Sequence, residues 1–582
     1  MPGMKAVALD APVSLNRPPR GFRIFSDGLY DEWVNSDGEI CHERLCGWID
    51  VIGVTHDVHG REYGRVIEFI TIDGNRRRRV VPARDIVGAR GRVIGDLIDE
   101  GFDVELTGQR GVTRCLYQWR PARRFTITHR RGWLASNEAF VLPDGTTNGS
   151  ENVIYTGPDD LRAAAAGGKL ESWRDEIAAR ARGNPLLTVA ISTSFAGPLV
   201  EMLSLENGML HFRGGSSSGK STLLSVAASV WWGPEGVRRW RSTDNGLEGT
   251  AERANGMLLC LDELAEIDGR AADAAVYMLG NGEGKARAKS NGNISRTAYW
   301  RLMMLSSGEI SLRQKLSEAG RTVQAGQAVR VLDIAADQQT FGAFDDLHDC
   351  EDGRVFSDAL RDAAATNYGI AGPAFVSALL DDPKRARQRA RRLMDRFIQK
   401  AEERHPRTGA GVAGRARKRF ALIAAAAELA TQHDITDWNA GDAMDAALEI
   451  FGLWLAGRGP QQDPSEEEAL LRVQIFLTEN RDRILELDTQ QTIPEPRAFA
   501  KGNYIFLSTK VWEHIHDGES PKRAAQALQR RGLLEFGDGR NIKSRIPAGV
   551  TGESRGYKLR RAILEDVVSE RSDISEDSET TA

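Results

Sequence analysis

The stretch Phe212–Trp232, "FRGGSSSGKSTLLSVAASVWW", puts three glycines, three serines and a lysine directly in front of an apolar run. A structural turn needs one glycine or two. This stretch reads instead as Gly214-x-x-x-x-Gly219-Lys220-Ser221, the pattern of a phosphate-binding loop between a strand and a helix. Glycine lets the backbone curl until several N–H groups point inward at an anion. A helix starting near Ser221 adds the positive end of its dipole. The expected nucleotide-binding set is therefore Gly214, Gly215, Ser216, Ser217, Ser218, Gly219, Lys220, Ser221 and Thr222. Lys220 would reach the β- and γ-phosphates of ATP, and the Ser221 hydroxyl would ligate Mg²⁺.

The partners of such a loop follow in order. "GMLLCLDELAEID" lies about forty residues beyond Lys220. Its apolar run Met257–Leu261 suits a buried parallel strand, with Asp262 and Glu263 at the carboxyl end, where open α/β sheets bind ligands. Asp262 would hold Mg²⁺ and Glu263 would polarise the attacking water. A third strand is expected in "YWRLMMLSSGE", with Ser306 and Ser307 at its end; Ser306 is the chosen candidate for touching the γ-phosphate or the water, and a plain turn is the other reading.

Two basic features have two readings each. In "GNGEGKARAKSNGNISR", Lys285, Arg287 and Lys289 alternate between turn residues. They either project into a channel and grip DNA phosphates or form a solvated hairpin. Arg330, in "GQAVRVLDIAAD", would serve as an arginine finger toward a neighbouring subunit, with Arg321 as competitor; both equally fit an ordinary surface.

A chain of 582 residues has room for three or four domains. Hydrophobic content of 41% with 27% charged residues is that of a globular protein. No apolar run suggests a membrane span and Met1–Arg20 has no signal-peptide core, so a cytoplasmic protein without membrane contact is expected. Five cysteines do not make a disulfide framework, and Cys41, His42 and Cys46 lack a second ligand pair at zinc spacing. The net charge of −5 is concentrated in the acidic tail "EDVVSERSDISEDSETTA", while basic clusters such as "NRRRRV", "KRARQRARR" and "GRARKRF" lie in the body.

The fold class expected is α/β, a P-loop NTPase core of AAA+ or ring-helicase type with flanking domains. Residues 1–150 read as a β-rich, mostly antiparallel domain, 151–205 as a helical linker region and 206–345 as the ATPase core. Residues 346–460 read as a helical lid, 461–564 as a winged helix and 565–582 as a disordered tail. In the winged helix, "SPKRAAQALQRRG" has Ser520 as N-cap, Pro521 at the first position and Gly532 at the end. Lys522, Arg523 and Arg530 lie at helical spacing on a face able to meet DNA.

The stretches "FRGGSSSGKSTLLSVAASVWW", "LLCLDELAEID", "MMLSSGE", "AGQAVRVLDI", "NYGIAGPAF" and "RKRFALIAAAAELA" resemble the helicase-like family called domain of unknown function 927, over about Gly132 to Leu429. That family occurs in phages, plasmids and integrative elements, often fused to a primase. The resemblance implies a hexameric ring motor on DNA, with the helical region as a lid carrying Arg415 and Arg419 in cis to the nucleotide. No primase acidic motif or zinc-ribbon cysteines stand in this sequence, so a primase is at most a partner. The function expected is an ATP-driven DNA helicase or translocase of a mobile-element or phage replication system, acting on single-stranded or forked DNA. The alternative is an ATP-dependent DNA-binding assembly switch or loader that does not unwind.

Overall fold

The computed structural model describes residues 16–87, 92–134, 137–158, 166–285, 297–318, 330–406, 412–457, 466–489, 493–516, 520–537, 541–547 and 555–564. The chain divides into two compact units, Met1–Arg162 and Ala163–Ala582.

In the first unit, the strands Phe22–Phe25, Gly28–Val34 and Ile40–Cys46 form an antiparallel meander. A second sheet of five strands is mixed. Ile49–His56, Gly64–Ile70 and Arg76–Pro82 pair antiparallel, while Arg124–Thr128 adds in parallel to Ile49–His56, and Val153–Tyr155 in parallel to Arg124–Thr128. Helices Arg92–Asp99 and Gln109–Gln118 close its core through Ile94, Leu97, Val112 and Leu116. A purely strand-like reading of this region missed both helices. Each is short, and its apolar residues become a helical stripe only when the strands supply the opposing wall. Three of the four arginines of "NRRRRV" are spent inside this unit: Arg76 and Arg78 bind the buried Glu68, and Arg79 binds Asp96 and Glu100.

The second unit is centred on five parallel strands in the order Val237–Arg239, Leu258–Asp262, Met303–Gly308, Gly208–Arg213, Val331–Ala335. The three central strands, Leu258–Asp262, Met303–Gly308 and Gly208–Arg213, are buried almost throughout and open on apolar runs rather than alternating ones, whereas the edge strand Val237–Arg239 is polar and partly exposed. Pro185–Met202 packs against the sheet, the Lys220–Ala228 helix and the helices Val412–Gln432 and Asp442–Gly457. By length and composition this helix is apolar enough to cross a bilayer, contrary to the expectation that no such run exists, yet 89% of it is buried in the interior. Its hydroxyls are satisfied internally: Ser192 donates to the Thr188 carbonyl and Ser194 to that of Ala227. Pro198 within it brings no N–H for the Ser194 carbonyl one turn back, and the Trp231 indole N–H donates there at 3.0 Å instead.

Further along, Gly353–Thr366, Ala371–Asp381, Pro383–Arg404, Val412–Gln432 and Asp442–Gly457 are helices. The last part has its own core. Helices Thr509–Ile515 and Pro521–Arg530 pack Trp512, Ala524 and Leu528 against Leu507, Tyr557 and Leu559 of a small sheet. Ser520 and Pro521 open the second of these helices as the sequence indicates, and Gly532 follows it with φ +70.

Candidate nucleotide site

The loop after Gly208–Arg213 sits where the connections of the sheet diverge. Its strand lies between Met303–Gly308 and Val331–Ala335, while the chain leaves it for the far edge before returning. Crevices at such switch points bind ligands in open α/β sheets. The curl depends on two left-handed residues, Ser217 at φ +60 and Gly219 at φ +98. At Gly219 a β-carbon would stand 2.9 Å from the Phe344 ring, and at Gly214 one would meet Asp337 at 2.9 Å. The glycines are therefore needed for close approach as well as for dihedral freedom.

Lys220, 8% exposed, turns back into the curl. Its ammonium donates to the Gly214 and Gly215 carbonyls at 2.9 and 2.6 Å and to the Ser218 hydroxyl at 3.3 Å. Gly219 caps the Lys220–Ala228 helix, so the exposed Ser221 lies in its first turn. A buttress not legible in the sequence holds the loop from behind. The Gly215 N–H donates to Asp337 at 3.0 Å, and the Ala343 N–H donates to the Ser218 carbonyl at 2.8 Å.

Asp262 ends its strand, and Glu263 follows in a left-handed conformation, φ +60, with its carboxylate accepting the Ala265 N–H at 3.3 Å. Backbone strain of this kind in a non-glycine residue concentrates at functional positions. The third strand runs Met303–Gly308, so both serines lie inside it and face opposite ways. Ser306 faces inward: the Trp240 indole donates to its hydroxyl at 2.8 Å, and the hydroxyl bonds His211 Nδ1 at 2.9 Å. His211 Nε2 meets the Ile310 carbonyl at 2.9 Å, and burial pulls the pKa of this imidazole down. Ser307 donates to the Asp262 carboxylate. The serine beside the carboxylates is thus Ser307, one residue on from the one the sequence indicated.

Beside the loop lies a cavity of about 640 Å³ lined by Lys220, Ser221 and Thr222 and, across it, by Phe341, Arg354 and Arg361. Asp358 forms ion pairs with both arginines. The arginines at this cavity come from the Gly353–Thr366 helix. Arg419 is elsewhere: it is buried at the amino-terminal end of the sheet and donates to the carbonyls of Asn207 and Arg330 at 3.1 and 3.3 Å. Burial lowers its pKa to about 10. Arg415 is exposed on the same helix.

Arg330 stands immediately before Val331–Ala335, at the sheet end remote from this loop, and donates to Asn281 at 2.7 Å while lying over the Tyr277 ring. Lys285 pairs with Asp244 at 2.7 Å. Arg287, Lys289 and Arg321 lie outside the described residues. Lys522, Arg523 and Arg530 are exposed on Pro521–Arg530, distant in sequence from the loop.

Residues 22–300 match the family described as Domain of unknown function (DUF927). Over this span the chain is similar to the DUF927 family. The DUF927 match takes in the loop, Asp262 and Glu263; it begins well before the Gly132 expected from sequence, reaching into the β-rich first unit, and ends at residue 300, short of the expected Leu429. The fold is similar to that of a solved structure, the SCCmec type IV Cch active helicase. The TM-score is 0.62 at 18% sequence identity, over 95% of this chain and 100% of that one. No curated protein matches the sequence.

Proposed function

We propose that this chain is an ATP-driven DNA helicase or translocase of a mobile-element or phage replication system, built on a P-loop core of AAA+ or ring-helicase type and working in the cytoplasm as a ring, most simply a hexamer. The observation that carries the reading is a convergence. The Gly214–Gly219 loop, Asp262 and Ser307 stand at the carboxyl ends of three adjacent parallel strands. The likeness of fold to a structure named as an active helicase supports the same reading.

The residues present fit ATP and Mg²⁺. The curl admits no β-carbon at Gly214 or Gly219, and Lys220 holds a cation against backbone carbonyls that a phosphate would replace as partners. Mg²⁺, held by Ser221 and by Asp262, would neutralise phosphate charge. Lys220 and the loop N–H groups bind the β- and γ-phosphates. Ser307 orients Asp262. Glu263 takes the proton of the attacking water, and Arg330 of an adjoining subunit would stabilise charge on the γ-phosphate.

The domain boundaries read from the sequence belong to this proposal, with 461–564 as a winged helix. Lys285, Arg287 and Lys289, and Lys522, Arg523 and Arg530, are its DNA contacts, and a separate primase is a natural partner. The test is ATP turnover with and without single-stranded DNA, followed by strand displacement on a fork. Stimulated turnover with displacement supports the motor. Stimulated turnover without displacement favours the assembly switch or loader.

A further inference from the structure

The helix Pro383–Arg404 carries a cationic stripe that forms no close ion pair among the described residues. Arg385, Arg389, Arg392 and Arg396 recur at i, i+4, i+7 and i+11, so they share one face over about 16 Å. Lys384 and Arg391 flank them. Ala386, Ala390, Met394, Phe397 and Ala401 form the opposite, buried face. Among the described residues none of these six cations forms a close ion pair with a carboxylate, though Arg396 is near enough to Glu428 to pull that carboxyl's pKa down against its burial; Arg392 Nε reaches the Gln388 carbonyl of its own helix, at 3.4 Å. From Lys384 to Lys400 the helix offers one carboxylate, Asp395. The contrast with Arg76, Arg78 and Arg79 is direct: there each cation is answered by Glu68, Asp96 or Glu100.

Four aligned like charges repel one another, and such an arrangement is relieved by a polyanion of matching extent. We propose that this stripe docks on the phosphate backbone of duplex DNA. Surfaces that grip single strands combine cations with aromatic platforms for the bases. The helix has one aromatic residue, Phe397, and it is buried. Duplex DNA presents a charge about every 1.7 Å of axis, which suits a contact made by cations alone and predicts no sequence preference. The inference rests on the reading of the chain as a DNA-acting ATPase and adds to it a surface outside the candidate site.

The experiment replaces all four stripe arginines (Arg385→Gln, Arg389→Gln, Arg392→Gln and Arg396→Gln) in the full chain. Anisotropy of a labelled mixed-sequence duplex, and of the corresponding single strand, is followed as salt is raised. Duplex affinity is expected to fall roughly tenfold or more at about 0.1 M salt, and the slope of log K against log salt to flatten by about 0.9 per lost contact. The four-lysine counterpart should keep most of the slope. ATP turnover without DNA and the far-ultraviolet spectrum report folding; if the quadruple variant does not fold, Arg392→Gln alone should still flatten the slope by about 0.9. Wild-type affinity and slope in a folded variant overturn the proposal, as does a loss confined to the single strand. If the wild-type chain binds neither probe, the DNA-directed reading falls as well, so the two failures are distinguishable.

Discussion

The Ser307 hydroxyl donates to the Asp262 carboxylate across adjacent parallel strands, while its neighbour Ser306 is held by Trp240 and His211 on the other side of the sheet. The two serines should therefore fail differently. A hydrogen bond to a charged group contributes about 1.5–3 kcal/mol. Ser307→Ala is expected to lower turnover roughly ten- to a hundredfold, with a destabilisation no larger than that one bond. Ser306→Ala leaves a buried indole N–H and an imidazole nitrogen without their partner, costing about 1–3 kcal/mol each. Steady-state kinetics beside thermal unfolding separates the two; equal kinetic losses without destabilisation would contradict the assignment.

Lys220→Ala should abolish nucleotide turnover and weaken binding, because its ammonium stands at the centre of the loop. Glu263→Gln should bind nucleotide normally and slow hydrolysis by a hundredfold or more, on the order of a lost general base. Fluorescent-nucleotide titration and phosphate release are the measurements. Wild-type turnover in Glu263→Gln would remove Glu263 from the chemistry.

Trp231→Phe keeps one aromatic ring while removing some buried volume, and deletes the N–H that answers the Ser194 carbonyl freed by Pro198. The expected destabilisation is about 1–3 kcal/mol, that of a buried acceptor left unpaired. Restoring the helix's own donor with Pro198→Ala in the Trp231→Phe background should recover part of it. Denaturant midpoints of the two variants test the coupling.

His516 is fully buried against Trp512, and neither ring nitrogen has a hydrogen-bond partner among the described residues. Burial, with a smaller push from Arg472, lowers its pKa to about 3. An unfolded histidine titrates near 6.5, so above that pH both states are neutral and no difference arises. As pH falls from about 6.5 toward 3, only the unfolded form takes the proton, and stability drops by up to about 1.4 kcal/mol per unit. Hydrogen exchange in peptides spanning 504–530 should report easier opening at pH 5 than at pH 7. His516→Phe should remove that difference; an unchanged pH dependence would place its origin elsewhere.

The sequence by itself determined what contiguous chain can encode. A phosphate-binding curl needs small residues and a lysine at fixed offsets, and those offsets are visible in Gly214–Ser221. The short apolar run ending in Asp262, the Ser520–Pro521 helix start and the helices around Pro383–Arg404 and Val412–Gln432 were legible for the same reason: each depends on a local pattern. Tertiary structure alone decided the matters set by register and by distant partners. Strand side chains alternate, so where Met303–Gly308 starts decides which serine meets Asp262. Arg419 goes to carbonyls 212 residues away, at Asn207, instead of to the loop, because its helix packs across the other end of the sheet. Arg354 and Arg361 reach the cavity only because Gly353–Thr366 folds back beside Thr222. Whether a basic cluster is neutralised follows the same logic. The arginines at 76, 78 and 79 and those at 385, 392 and 396 look alike in sequence, but only the fold brings carboxylates to the first set and leaves the second exposed.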